Sequence, residues 1–120
     1  MASHGLHLRP RDLAKLGQLM LDGGQWQGKQ VVSPAWHDSS LTPRVDLTDG
    51  GAAQSYGYYR WIVPRAGAYA AWGSGSQSIF VVPSQRLVLV LLSMPDTDGD
   101  LLPVGSLDEF VELTQRLWQP

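Results

Sequence analysis

Hydrophobic residues between positions 68 and 92 fall into three short blocks, Ala68–Trp72, Ser78–Val82 and Leu87–Leu92, each of strand length. Gly73-Ser74-Gly75 joins the first two and reads as a glycine-rich hairpin signal. Pro83-Ser84-Gln85-Arg86 joins the last two as a polar turn carrying a proline. The third block has no polar residue, which predicts a strand buried on both faces. Such a strand needs a cover on each side. Two helical patterns supply the covers.

The first runs over residues 10–22. Leu13, Leu16, Gly17 and Met20 recur at helical spacing, and Ala14 and Leu21 widen the stripe. Pro10 suits a first turn, where a missing N–H costs nothing, and Asp12 complements the helix dipole there. Gly23-Gly24 is a left-handed stop. The second closes the chain, with Leu107, Phe110, Val111, Thr114, Leu117 and Trp118 on one face and Ser106 or Asp108 as cap. In between, Gln25–Gln30 reads as a turn that folds Trp26 back onto the core. Ser33-Pro34 opens a short helix reaching about Leu41, with Trp36 on its buried side. Thr42–Ser55 lacks periodicity and reads as a loop, Tyr56–Val63 as a strand, and Pro64–Gly67 as the turn into the three blocks. The expected fold class is α+β: one domain over residues 1–120, an antiparallel meander flanked by helices.

Composition narrows the function classes. Apolar residues make up 43% and charged ones 17%, as in ordinary globular domains. A net charge of −2, with no basic run, leaves no electrostatic footprint for nucleic acid. No apolar run is long enough to span a bilayer, and the first twenty residues lack a signal-peptide pattern. The expectation is a soluble protein of cytoplasm or periplasm, with no membrane and no nucleic acid among its partners. Without cysteine there is neither a disulfide framework nor a thiolate metal site.

Several motifs invite a chemical reading and are better explained plainly. His4 and His7 sit three apart but lack the companions a metal site needs, and His37 reads as a surface or interface residue. Asp96-Thr97-Asp98-Gly99-Asp100 looks like the start of a calcium loop but has no glutamate at its twelfth position. No metal or cofactor is expected. Gly73-Ser74-Gly75-Ser76 lacks the Gly-Lys ending of a phosphate loop and joins strand to strand. It is either a tight hairpin or a backbone N–H lining an oxyanion site. Most of the five tryptophans and four tyrosines are spaced as core anchors, while Tyr56, Tyr58 and Tyr59 border the sheet and are candidates to line a cleft.

Three stretches, in order, resemble one family: Gly5–Ser33 (GLHLRPRDLAKLGQLMLDGGQWQGKQVVS), Tyr56–Trp61 (YGYYRW) and Ala71–Val90 (AWGSGSQSIFVVPSQRLVLV). Together they are similar to the carboxy-terminal portion of the serine β-lactamase-like hydrolases. These include class C β-lactamases, DD-peptidases, esterases and 6-aminohexanoate-dimer hydrolases. The resemblance covers nearly the whole chain and implies a partial α/β sandwich. The family works through a serine in Ser-x-x-Lys, a Tyr-x-Asn motif and a third motif on a strand edging the site. Lys15 and Lys29 are the only lysines, neither has a serine three residues before it, and the sequence contains no asparagine. Only the third motif has a counterpart, Gly73-Ser74-Gly75.

The resemblance implies an oxyanion N–H there, at Ser74 or, in the alternative register, Ser76. Binding residues would be Trp72, Gly73, Gly75, Tyr56 and Tyr58. The expected function is that of a hydrolase fragment, catalytically silent alone. The alternatives are a small-molecule binding module in the residual cleft, or a subunit completing a hydrolase site with another chain. In the family, amino-terminal strands pair with the equivalent of Leu87–Leu92. Without them that edge lies open, and a homo-oligomer through it is the expected partner state.

Overall fold

The computed structural model describes residues 6–48, 51–73, 77–93 and 107–116. The first helical pattern forms α1 (Pro10–Leu21), with Pro10 in its first turn and Gly17 and Met20 buried. Gly23 and Gly24 take φ values of 62° and 85°, and the Gly24 N–H closes on the Leu19 carbonyl at 2.8 Å. Asp22 accepts from Gln18 and from Arg86 Nη2, the latter at 2.8 Å. Those two bonds hold its carboxyl below the usual carboxylate range. The Arg86 contact ties the end of α1 to a turn of the sheet.

The predicted turn at residues 25–30 is itself a small hairpin, β1 (Gln25–Trp26) against β2 (Lys29–Gln30). Both loop residues, Gln27 and Gly28, have positive φ, which matches the twist of a two-residue hairpin. Then α2 (Pro34–Leu41) follows, with Ser33 Oγ accepting from the Trp36 N–H at 3.2 Å. Trp36 is not buried: it is 57% exposed. The side α2 turns inward carries Ser40 and His37, and His37 Nε2 lies 2.9 Å from the Met20 carbonyl. His37 therefore links two helices, the interface half of the expectation for a surface or interface residue.

Six strands form one antiparallel sheet in chain order: β3 (Val45–Asp46), β4 (Ser55–Tyr56), β5 (Trp61–Val63), β6 (Ala68–Gly73), β7 (Gln77–Val82) and β8 (Leu87–Leu91). The region expected to be a loop thus contains β3, whose two residues are both exposed and show no alternation. The expected strand Tyr56–Val63 is broken in two. The Tyr58 N–H is captured by the Ser40 carbonyl at 3.1 Å, and the Gly57 N–H closes a turn on the Arg60 carbonyl at 2.9 Å. Gly57 is needed there, because a Cβ would overlap the Ser40 carbonyl oxygen.

Residues alternate between the two faces, and each face has a helix. On one side, α3 (Leu107–Gln115) packs Phe110 and Val111 onto Val63, Ala68, Ala70, Phe80 and Val82. On the other, α1 packs Leu13, Met20 and Leu21 onto Tyr69, Ile79, Val81, Val88 and Val90. Full burial on both faces falls to β7, buried from Ser78 to Val82. All five residues of β8 are only partly buried, because β8 ends the strand order. Burial of Leu87–Leu92 was overestimated for that reason. His4, Asp96–Asp100, Leu117 and Trp118 lie outside the described residues.

Candidate functional site

The strand of interest is β6, which leaves the core at Trp72 and Gly73. Register Ala70↔Phe80, Trp72↔Ser78 and Gly73↔Gln77 carries the pairing to its end. The connection holding Ser74, Gly75 and Ser76 lies outside the described residues. The strand end leading to it is held by aromatic contacts. The Trp72 ring meets Phe110 edge-to-face at 5.5 Å, so this side chain packs under α3. Its backbone carbonyl accepts from Trp61 Nε1 at 3.3 Å. Trp61 in turn meets Tyr56 edge-to-face at 5.0 Å.

Tyr56, Trp61 and Trp72 therefore form a continuous aromatic series on the α3 face, beside Gly73. Tyr58 is set apart from it. Its ring stacks on Trp36 at 5.5 Å and lies under the Arg44 guanidinium at 4.8 Å, an exposed arrangement against α2. Tyr59 is 66% exposed with φ 57°. Of the aromatic residues proposed to line a cleft, the structure brings Tyr56 and Trp72 together and leaves Tyr58 and Tyr59 outside.

Two polar groups near this end were not singled out from sequence. Ser78, opposite Trp72, is buried, and its Oγ has no hydrogen-bond partner among the described residues. Arg60 is half-buried at the start of β5. Burial draws its guanidinium below its ordinary value, with the Tyr69 and Tyr56 phenols opposing the shift. Burial likewise pushes the Tyr69 phenol up to about 12, offset in part by Arg60, and its hydroxyl donates to the Met20 carbonyl at 3.0 Å. One signal was available: Arg60 is the only charge between Tyr56 and Val63.

Elsewhere, a shallow groove of about 510 Å³ lies between α1 and the first hairpin, lined by Lys15, Leu16, Leu19, Trp26, Gln27 and Val31. Trp26 thus faces a groove on α1. Among the described residues, no group of three or more acidic, histidine or cysteine side chains is placed to hold a metal ion. No described helix is long and apolar enough to cross a membrane.

Comparison with known proteins gives two relevant likenesses. The 6-aminohexanoate-dimer hydrolase of Paenarthrobacter ureafaciens is 35% identical over 106 residues, covering 81% of this chain and 27% of that protein. A solved structure, a putative 6-aminohexanoate-dimer hydrolase from Bacillus anthracis, superposes with a TM-score of 0.60 at 21% identity. It covers 90% of this chain and 29% of that one. The chain therefore spans less than a third of each relative. No family model matches.

Proposed function

The chain is related to a portion of the β-lactamase-like hydrolases and shares part of their fold, and from that kinship we propose that it supplies one wall of a serine-hydrolase active site. The observation that carries this reading is the end of β6. An antiparallel strand ends at Trp72 and Gly73, with Trp61 bonded to the Trp72 carbonyl and Tyr56 against Trp61, and the sequence continues as Ser74-Gly75-Ser76. A backbone N–H at Ser74, or at Ser76, would face the oxygen that becomes negative when a carbonyl is attacked. Removing one such donor costs about a hundredfold to a thousandfold in rate, but only where a nucleophile exists.

In this reading the nucleophile belongs to sequence outside these 120 residues, since neither Ser-x-x-Lys nor Tyr-x-Asn occurs here. The substrate would be an amide or ester. The curated relative is named for hydrolysing a dimer of an amino acid, which favours the amide. The 120-residue chain is expected to leave nitrocefin and p-nitrophenyl esters unhydrolysed above the rate of a Ser74→Ala, Ser76→Ala double variant. Turnover exceeding that control would overturn the reading. Small-molecule binding without turnover is a second reading, favoured by the shared face of Tyr56 and Trp72. A boronate that binds the chain with no ester turnover would support it.

The same reading bears on assembly. Among the described residues no strand lies beside the outer edge of β8, and L-V-L-V-L carries neither charge nor proline to discourage pairing. In the isolated chain the strand available to fill that edge is a second copy, paired antiparallel. Sedimentation at micromolar concentration should show a dimer, and a Val90→Lys variant should dissociate about tenfold more readily. A monomeric wild type would remove this proposal.

A further inference from the structure

Arg60 is a cation with no acidic partner among the described residues. It follows the turn that starts at Gly57 and immediately precedes β5, whose first residue, Trp61, pairs with Ala70. Continuing that register sets Arg60 level with Ala71, and strand alternation puts it on the face of Tyr69 and Ala71, opposite the Trp61 and Trp72 rings. The residue is half-buried. Among the described residues its guanidinium forms no ion pair within 4.0 Å and no side-chain hydrogen bond. The nearby phenols do not neutralise it. Tyr69 has its hydroxyl engaged with the Met20 carbonyl, and burial keeps that phenol protonated.

A charge withdrawn from water with no partner carries a desolvation penalty, and proteins rarely keep one unless something offsets it. Arginine presents a planar fork of donors that matches a carboxylate in two parallel hydrogen bonds. Arg44, a neighbouring cation, is already stacked on Tyr58 and bonded to Ser39. A single guanidinium among aromatic side chains fits a monoanion better than a phosphate dianion.

We propose that Arg60 is the binding point for the carboxylate of a small organic acid lying level with Ala71 of β6, on the face of the sheet that carries Tyr69. The anion site stands on Arg60 alone. Only the naming of that acid as a substrate rests on the hydrolase reading.

The test uses the isotopically labelled chain and two probes, 6-acetamidohexanoate and its uncharged primary amide, titrated while amide resonances are followed. The acid is expected to bind about tenfold more tightly than the amide, the gain of one charge-assisted contact. Arg60→Gln should bring the two within about twofold of each other, while Arg60→Lys should keep part of the preference. No saturable binding of the acid, equal binding of both probes to the wild type, or a preference surviving in Arg60→Gln would each overturn the proposal. Should Arg60→Gln fail to fold, the wild-type ratio and the Arg60→Lys variant still decide it. If resonances near Arg60 move while those of Trp72 and Gly73 stay fixed, the anion site stands and the naming of the acid as a substrate falls. The two ideas therefore fail separately.

Discussion

Gly17→Leu is expected to destabilise the chain by about 3 kcal/mol, a large part of the roughly 5–15 kcal/mol that holds a domain of this size. The reason lies in how closely α1 approaches the sheet. A Cβ built at position 17 would overlap Val88 Cγ1 and stand 2.9 Å from Ile79 Cγ2. Those atoms belong to β8 and β7, which cannot retreat without disturbing the opposite face. Alanine at this position would gain about 1 kcal/mol of helix propensity, yet the overlap is expected to outweigh that gain. Leucine adds three more carbons to the same space. Urea unfolding of the two variants checks the order: wild type most stable, alanine next, leucine least. A leucine variant with an unchanged midpoint would show that α1 does not rest on these strands.

Phe110→Ala is the second large effect, with an expected loss of about 3–5 kcal/mol. Phe110 is 6% exposed and meets Phe80 at 5.3 Å and Trp72 at 5.5 Å, both edge-to-face. It is the side chain through which α3 grips its face of the sheet. Truncation would leave a void between two aromatic rings and loosen Trp72, so near-ultraviolet circular dichroism should weaken together with the unfolding midpoint. Leu113, on the same helix and 50% exposed, is the control. Its replacement by alanine should change stability by no more than about 0.5 kcal/mol. Similar losses at both positions would mean that α3 is held by something other than this contact.

Much of the architecture was legible because its signals are local. The stripe from Leu13 to Met20, the Gly23-Gly24 stop and the three apolar blocks became α1 and β6–β8 with boundaries shifted by a residue or so. A helix on each face followed from the apolar residues in those blocks. Tertiary contacts undid the rest. Trp36, expected on the buried side of α2, is 57% exposed because Tyr58 offers it a stacking partner outside the core. Tyr56–Val63 has strand composition throughout, and no pattern in it reveals that the Ser40 carbonyl interrupts it. Of the candidate site, the placement of Trp72 and Gly73 at the end of a strand could be anticipated from the hairpin signal that follows them. Arg60 could not be weighed as a buried cation until the neighbours of that position were known.

The two proline-headed turns are alike. Pro64–Ala66 ends in Gly67 at φ 56° and Pro83–Gln85 ends in Arg86 at φ 47°, each closed by one backbone bond to the proline carbonyl. Closing so short a loop costs little entropy, so β5 with β6 and β7 with β8 can each form as nearest neighbours in the chain. The end of α1, by contrast, reaches its partner across the 64 positions between Asp22 and Arg86. Contacts of that span carry the higher loop-closure cost and set the slow step of folding. The nucleus is accordingly expected in the hairpins, with the helix that looks most secure in the sequence docking after them, and low φ-values at Leu13 and Met20 would show it.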